Sequence, residues 1–255
     1  MDSILEVKNI DFSYHTNEGE TLALKQVSFA VNEGEFIAIV GPSGCGKSTL
    51  LHLIAGLLKP EAGLITYRGN ITPGGSAVLG YMLQRDELLE WRNIYANIIL
   101  GLEIQHKLTS ENKARVWHLL SAYGLKSFAY SRPSELSGGM RQRAALIRTL
   151  VLNPDILLLD EPFSALDYQT RLTVSDDIGK IIRNEKKSAL LVTHDLSEAI
   201  SLADRIIILS ERPATVHQTV RITFSHPELS PLERRNAPEF KTYFNLIWKE
   251  LNHSE

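Results

Sequence analysis

Phe36-Ile37-Ala38-Ile39-Val40 runs straight into Gly41-Pro42-Ser43-Gly44-Cys45-Gly46-Lys47-Ser48-Thr49. Five consecutive apolar residues fit a short strand buried on both faces. The glycines let the chain curl, and a helix is expected from Lys47 through Leu57, stopping before Pro60. Strand, Gly41-x-x-x-x-Gly46-Lys47-Ser48 turn and helix are together the parts of a phosphate loop. Backbone N–H groups between Gly41 and Thr49 face phosphate oxygens, and the helix N-terminus adds positive potential. Lys47 is placed to neutralise β and γ phosphates, and the Ser48 hydroxyl to bind Mg²⁺. Cys45 lies inside this loop, near a helix start that favours a thiolate, so its alkylation is expected to block nucleotide sterically. Its plainer reading is a small filler residue.

Outward from the loop, Leu5 to Phe12 nearly alternates and Val27 to Val31 follows as a second strand, with Asn32-Glu33-Gly34 as a turn. From about Arg85 to Asn153 the pattern turns helical, over Ile94 to Leu102, Glu111 to Tyr123 and Gly138 to Leu152. Strands then resume at Ile156 to Leu159, Ala189 to Val192 and Arg205 to Leu209, separated by helices over Tyr168 to Asn184 and Leu196 to Leu202. Alternating strands and helices imply a mainly parallel sheet. Phe240, Tyr243, Phe244, Ile247, Trp248 and Leu251 recur at helical spacing after Pro238, as a terminal helix packed on the core or as a docking surface.

Two further stretches carry chemistry. Asp160 and Glu161 close the Ile156–Leu159 strand, at the edge where an open α/β sheet presents ligands. Asp160 suits the Mg²⁺ shell through water, and Glu161 is the candidate general base for an attacking water. Leu136-Ser137-Gly138-Gly139-Met140 opens a patterned helix, so Ser137 can cap it while N–H groups stay free for an anion.

At 255 residues, 44% hydrophobic and 22% charged, the chain is long enough for a large core. A net charge of -3 argues against nucleic acid as the main partner, which needs a basic face. No run approaches the roughly 18 apolar residues of a membrane span, and Met1 to Glu6 lacks a secretory pattern. One cysteine excludes an intrachain disulfide. The expectation is a cytosolic chain, with any membrane span supplied by another polypeptide.

Ser137-Gly138-Gly139 followed by Met140-Arg141-Gln142-Arg143, just before a Walker B strand, resembles the signature of ABC transporter ATPases. The resemblance extends from about residue 5 to 210, with motifs in family order. Gln84 resembles the Q-loop glutamine, which in the family contacts Mg²⁺ and relays to membrane subunits. Ser164-Ala165-Leu166-Asp167 resembles the D-loop, His194 the switch histidine on the γ-phosphate, and Tyr14 the A-loop aromatic that stacks on adenine. The resemblance implies a P-loop NTPase, RecA-like α/β core with a mainly parallel sheet and an N-terminal antiparallel β part. Residues 1–84 and 156–255 would form that nucleotide-binding core, and 85–155 an inserted α-helical subdomain carrying the signature. It implies ATP and Mg²⁺ as ligands and a homodimer, in which Ser137, Gly138 and Gly139 contact ATP held by the partner's phosphate loop.

A free-standing single cassette resembles the ATPase subunit of a bacterial importer, peripheral on the cytoplasmic face of the membrane. Such a subunit works with two membrane permease subunits and an extracytoplasmic solute-binding protein. Leu88-Leu89-Glu90-Trp91 resembles the Leu-Leu-Pro-Trp of the nitrate, sulfonate and taurine group, with Glu90 in place of proline. The stretch Leu209 to Val216, with its Arg212-Pro213, also resembles that group, and thiamine-precursor importers share both features. The alternative is a soluble ABC-type ATPase acting on nucleic acid or ribosomes, distinguished by a strongly salt-dependent nucleic-acid affinity. A non-hydrolysing cassette is disfavoured because Lys47, Asp160, Glu161 and His194 are all present.

Overall fold

The computed structural model describes residues 3–17, 19–71 and 79–252. Strands β1 (Ser3–Thr16) and β2 (Gly19–Asn32) form an antiparallel hairpin. The short run Phe36–Val40 becomes β3, followed by helix α1 (Lys47–Ile54). Next come β4 (Ala62–Tyr67), β5 (Asn70–Ile71) and β6 (Leu79–Met82). Helices α2 (Ile94–Ile98), α3 (Leu100–Ile104), α4 (Ser110–Ala122) and α5 (Gly138–Leu150) precede the next strand. Beyond them lie β7 (Ile156–Asp160), α6 (Tyr168–Asn184), β8 (Ser188–Val192), α7 (Leu196–Leu202) and β9 (Arg205–Leu209). Strand β10 (Val216–Arg221) and helices α8 (Pro231–Arg234) and α9 (Pro238–Asn252) complete the described order.

Two sheets result. One has the order β2-β1-β4-β5 and is antiparallel throughout. The other has the order β10-β9-β3-β8-β7-β6 and is parallel except for β10. The period of two along β3 explains its continuous apolar run. Phe36, Ala38 and Val40 join a cluster with the helices, whereas Ile37 and Ile39 join a second cluster with α1 and the antiparallel sheet. Leu157 and Leu159 of β7 divide from Ile156 and Leu158 in the same way. Because both faces are covered, no position can be polar until the strand ends.

Several boundaries differ from the expected ones for local reasons. The hairpin is longer than Leu5 to Phe12 and Val27 to Val31 because bulges interrupt the alternation. Asn9 and Gln26 sit there at φ 48 and 49, and Ser28 donates from its hydroxyl to Asn9 at 3.0 Å. Helix α1 ends before Leu57, since Gly56 turns left-handed at φ 72 and the Leu57 N–H closes on the His52 carbonyl at 2.9 Å. The single helix expected over Ile94 to Leu102 is two short ones hinged at Ile99. On α9, Ile247 is buried while Trp248 is 57% exposed, so the helix packs on the core by one edge of its aromatic stripe.

Asn97 holds the segment after β6 in place. Fully buried, it accepts the Leu89 N–H at 2.7 Å, and its two Nδ2 hydrogens are shared among the Leu89, Arg92 and Asn93 carbonyls at 3.1, 3.1 and 3.0 Å. Asn97→Ala leaves these backbone groups without that partner, which is expected to cost about 2–3 kcal/mol of unfolding free energy. Urea denaturation reads the loss; an unchanged midpoint would mean that the loop is held by other contacts.

Candidate functional site

Strand order decides what meets at the site. Strand β8 lies between β3 and β7, so the carboxyl ends of all three strands open on one edge. The turn after β3 supplies Lys47 and Ser48, the end of β7 supplies Asp160 and Glu161, and the turn after β8 supplies His194. Backbone bonds lock this edge: Glu161 N–H donates to the Val192 carbonyl at 2.9 Å and Thr193 N–H to the Ile39 carbonyl at 3.3 Å.

The loop is packed as well as curled. Gly46, at φ 123, has no room for a side chain, because a Cβ there would lie 2.9 Å from Leu24 Cδ2 of β2. Lys47 folds back across the loop and donates from Nζ to the Gly41 and Pro42 carbonyls at 2.9 and 2.8 Å. Ser48 donates to Asp160 Oδ1 at 2.9 Å, and Tyr81 on β6 donates to Asp160 Oδ2 at 3.1 Å. Burial and the Asp160 charge both push the Tyr81 phenol up, so Tyr81 remains a donor. The Ser48 hydroxyl and the buried Asp160 carboxylate, in direct contact, are hard oxygen donors of the kind that Mg²⁺ takes.

Glu161 sits just past the strand at φ 45, a left-handed conformation uncommon for a residue with a side chain. Its Oε2 lies 3.2 Å from His194 Nδ1. Ser164 ties the same turn down by donating to the Glu161 carbonyl at 2.9 Å, and accepts from Gln84 Nε2 at 3.2 Å. Gln84 therefore reaches the site through Ser164. Beneath His194, Thr193 donates to buried Glu198 at 2.7 Å and accepts the Asp195 N–H at 3.0 Å.

An open cleft of about 660 Å³ is lined by Tyr14, Ser43, Gly44, Gly46, Lys47, Ser48, Thr49, Glu161, His194 and Arg212. The Tyr14 ring stands edge-on to Phe12 at 5.0 Å, and its hydroxyl meets Thr49 Oγ1 at 2.9 Å. Tyr14 is 39% exposed and lines the cleft. Cys45 departs from expectation. It is 2% exposed and packed in the core, and burial pushes its thiol up, outweighing the positive charges of Lys47 and Arg212. The thiolate reading is corrected, and the filler reading stands.

Ser137, Gly138 and Gly139 do not line this cleft. Ser137 caps α5 by accepting the Met140 N–H at 3.4 Å, and it and Gly138 are exposed. Gly139 faces α6, where a Cβ would meet Val174 Cγ2 at 2.7 Å. Asp167 caps α6 by accepting the Thr170 N–H at 3.1 Å; the Thr170 side chain first, and then that N–H, hold its carboxyl below the usual range. Helix α5 is fastened to the segment after Gln84. Arg141 pairs with Asp86 at 2.9 Å and with Glu90 at 3.1 Å, so the glutamate found in place of proline is an ion-pair partner. Trp91 beside it is 73% exposed.

Sequence reasoning missed three residues here. Tyr81 belongs to no motif and Ser164 was quoted only as the start of the D-loop stretch; the strand pairing and the turn are what bring them to Asp160 and Glu161. Arg212 lay in a stretch quoted for its resemblance alone, with nothing to say that it returns to the phosphate loop.

Comparison with known proteins gives the family. The ABC transporter family model matches residues 24–164. An uncharacterized ABC transporter ATP-binding protein of Bacillus subtilis strain 168, YtlC, is 45% identical over 99% of this chain and 97% of its own length. The taurine import ATP-binding protein TauB of Jannaschia sp. strain CCS1 is 38% identical, over 87% of this chain and 83% of its own. Among solved structures, the dimeric post-hydrolysis state of the ATP-binding cassette MJ0796, bound to ADP and Pi, superposes with a TM-score of 0.72. It is 31% identical and covers 86% of this chain and 99% of that one.

Glu198 gives the site a pH signature. Burial first, then the Asp195 charge, push its carboxyl from 4.5 up to about 7, against the Thr193 bond and the Arg171 and Arg235 charges. Between those two values the folded chain holds a proton that the unfolded chain releases, so stability falls as pH rises from about 4.5 to about 7. The full loss, on the order of 3 kcal/mol, persists above that window. Glu198→Gln is expected to flatten this slope and to be more stable than the parent at about pH 8 in chemical denaturation. Equal slopes for the two proteins would contradict the assignment.

Proposed function

Because this chain belongs to the ABC transporter ATP-binding family, we propose that it is the ATP-hydrolysing subunit of a solute importer. The solute class is that of the sulfonate, taurine, nitrate or thiamine-precursor group. The observation that carries the reading is the meeting of Lys47, Ser48, Glu161 and His194 on one cleft edge, with Asp160 bonded to Ser48 behind them. The exposed Ser137 turn stands outside that cleft.

Each residue then has a task. Tyr14 stacks on adenine. The loop from Gly41 to Thr49 wraps the phosphates, and Lys47 exchanges its two carbonyl partners for β and γ oxygens. Ser48 and Asp160, with Gln84, would hold Mg²⁺, which when bound would offset negative charge on the phosphates. Glu161 takes the proton of the attacking water, a contribution of about 10²–10⁴-fold in rate. His194, 3.2 Å from Glu161, orients that carboxylate and contacts the γ-phosphate. Gln84 and Ser164 link this chemistry to the segment through Trp91, where a permease would dock.

Two copies complete the site. Ser137, Gly138 and Gly139 of one chain close on ATP held by the other, with Asp167 near the shared axis, so closure depends on the γ-phosphate and is lost after hydrolysis. In this reading residues 85–155 move as a helical unit against the core formed by 1–84 and 156–255. No helix among the described residues is long and apolar enough to cross a membrane. The chain would work at the cytoplasmic face beneath two permease subunits, fed by an extracytoplasmic solute-binding protein.

Glu161→Gln keeps the size of the side chain and one acceptor oxygen but removes the base. Phosphate release is expected to drop about 10²–10⁴-fold, while ATP with Mg²⁺ shifts the variant to a dimer on sizing chromatography. Full turnover, or a monomer at saturating ATP, would contradict the proposal.

A further inference from the structure

We propose that Arg212 is an additional nucleotide-binding residue, whose guanidinium contacts the phosphate chain of ATP from the rim of the cleft. The inference rests on the ATP reading above. Arg212 stands in the turn between β9 and β10, 168 positions from the phosphate-loop residue it touches. Yet it lines the same cleft as Tyr14, Lys47 and Ser48 and donates from Nη2 to the Gly44 carbonyl of the phosphate loop.

The turn that presents it is built rather than loose. Ser210 N–H donates to the Thr215 carbonyl at 3.0 Å, and Thr215 N–H returns to the Ser210 hydroxyl at 2.9 Å. Ala214 is buried and joined to β2 through two backbone bonds, to Ala23 and from Lys25, each 2.9 Å. That same strand supplies Leu24, which presses on Gly46. The arginine and the phosphate loop are therefore registered to each other by one piece of backbone.

Charge and donor count point the same way. An arginine carries five N–H donors in a fixed fork, and the Gly44 carbonyl engages one terminal nitrogen. The planar fork matches phosphate oxygens well and is only weakly hydrated. One ammonium and one divalent ion do not neutralise a triphosphate, and the remaining basic groups lining the cleft are His194 and Arg212. His194 is held against Glu161, which leaves Arg212 to supply the second permanent cation.

The test measures binding of ATP, AMP and adenosine to the full chain and to Arg212→Ala, Arg212→Lys and Lys47→Ala, with Mg²⁺ present. A lost charge-assisted contact is expected to weaken ATP roughly ten-fold or more in Arg212→Ala. Adenosine should bind that variant as it binds the parent, and Arg212→Lys should recover part of the ATP affinity. Arg212→Ala also removes the bond to the Gly44 carbonyl, so the discriminating readout is a loss for ATP with adenosine unaffected, which a purely structural role would not give. ATP affinity equal to the parent's in Arg212→Ala, or an equal loss for ATP and adenosine, would overturn the inference. Failure of the parent itself to bind ATP would instead overturn the ATP reading, and a loss confined to Lys47→Ala would spare that reading while removing this one.

Discussion

The bond from Ser48 to Asp160 joins residues 112 positions apart, and the arrangement of the site depends on it. Ser48 begins α1 on one side of the sheet, and Asp160 ends β7 two strands away. Each is placed by backbone it does not share. The hydroxyl and the buried carboxylate meet directly, at the place where the proposed function puts a divalent cation. Tyr81 completes the arrangement from β6, so three elements converge on one aspartate. A buried carboxylate is costly unless hydrogen-bonded, and these two donors answer that cost.

From this point the layout follows in two directions. Inward, the apolar faces of β3, β7 and β8 hold the carboxyl ends of the strands level, so that the loop, the acidic pair and His194 share an edge. Outward, Ser164 passes from Glu161 to Gln84, and Asp86 and Glu90 pass to Arg141 on α5. The capping turn at Ser137 is thus mechanically connected to the catalytic edge of its own chain, though it does not touch that chain's cleft. Glu90 deserves comparison with proline at that place: it gives up a rigid turn for an ion pair with α5. Exposed or half-exposed pairs of this kind contribute modestly, so their role here is geometric.

What could be read beforehand divides along physical lines. The phosphate loop and the β7 acidic pair were legible because their chemistry is local, requiring adjacent residues at fixed spacing. The buried strands were legible because two covered faces demand unbroken apolar runs. The hairpin was only half legible, since bulges at Asn9 and Gln26 break the period on which a strand is recognised. The contacts that Tyr81, Ser164 and Arg212 make were not legible, although Ser164 and Arg212 stood in stretches quoted for their resemblance. Their roles come from strand order and from a turn folding back on β2, neither of which leaves a mark in the adjacent sequence. Cys45 shows the reverse error: a helix start favours a thiolate, but packing behind the loop outweighs that field.

The account requires that one chain's cleft be completed by a second copy of the chain. The direct measurement is an experimental structure of Glu161→Gln with ATP and Mg²⁺. The expected result is two nucleotides between two chains, each held by Lys47 and Ser48 of one and by the Ser137–Gly139 turn of the other. ATP bound at Lys47 in a closed form whose Ser137 turns face solvent would contradict the account.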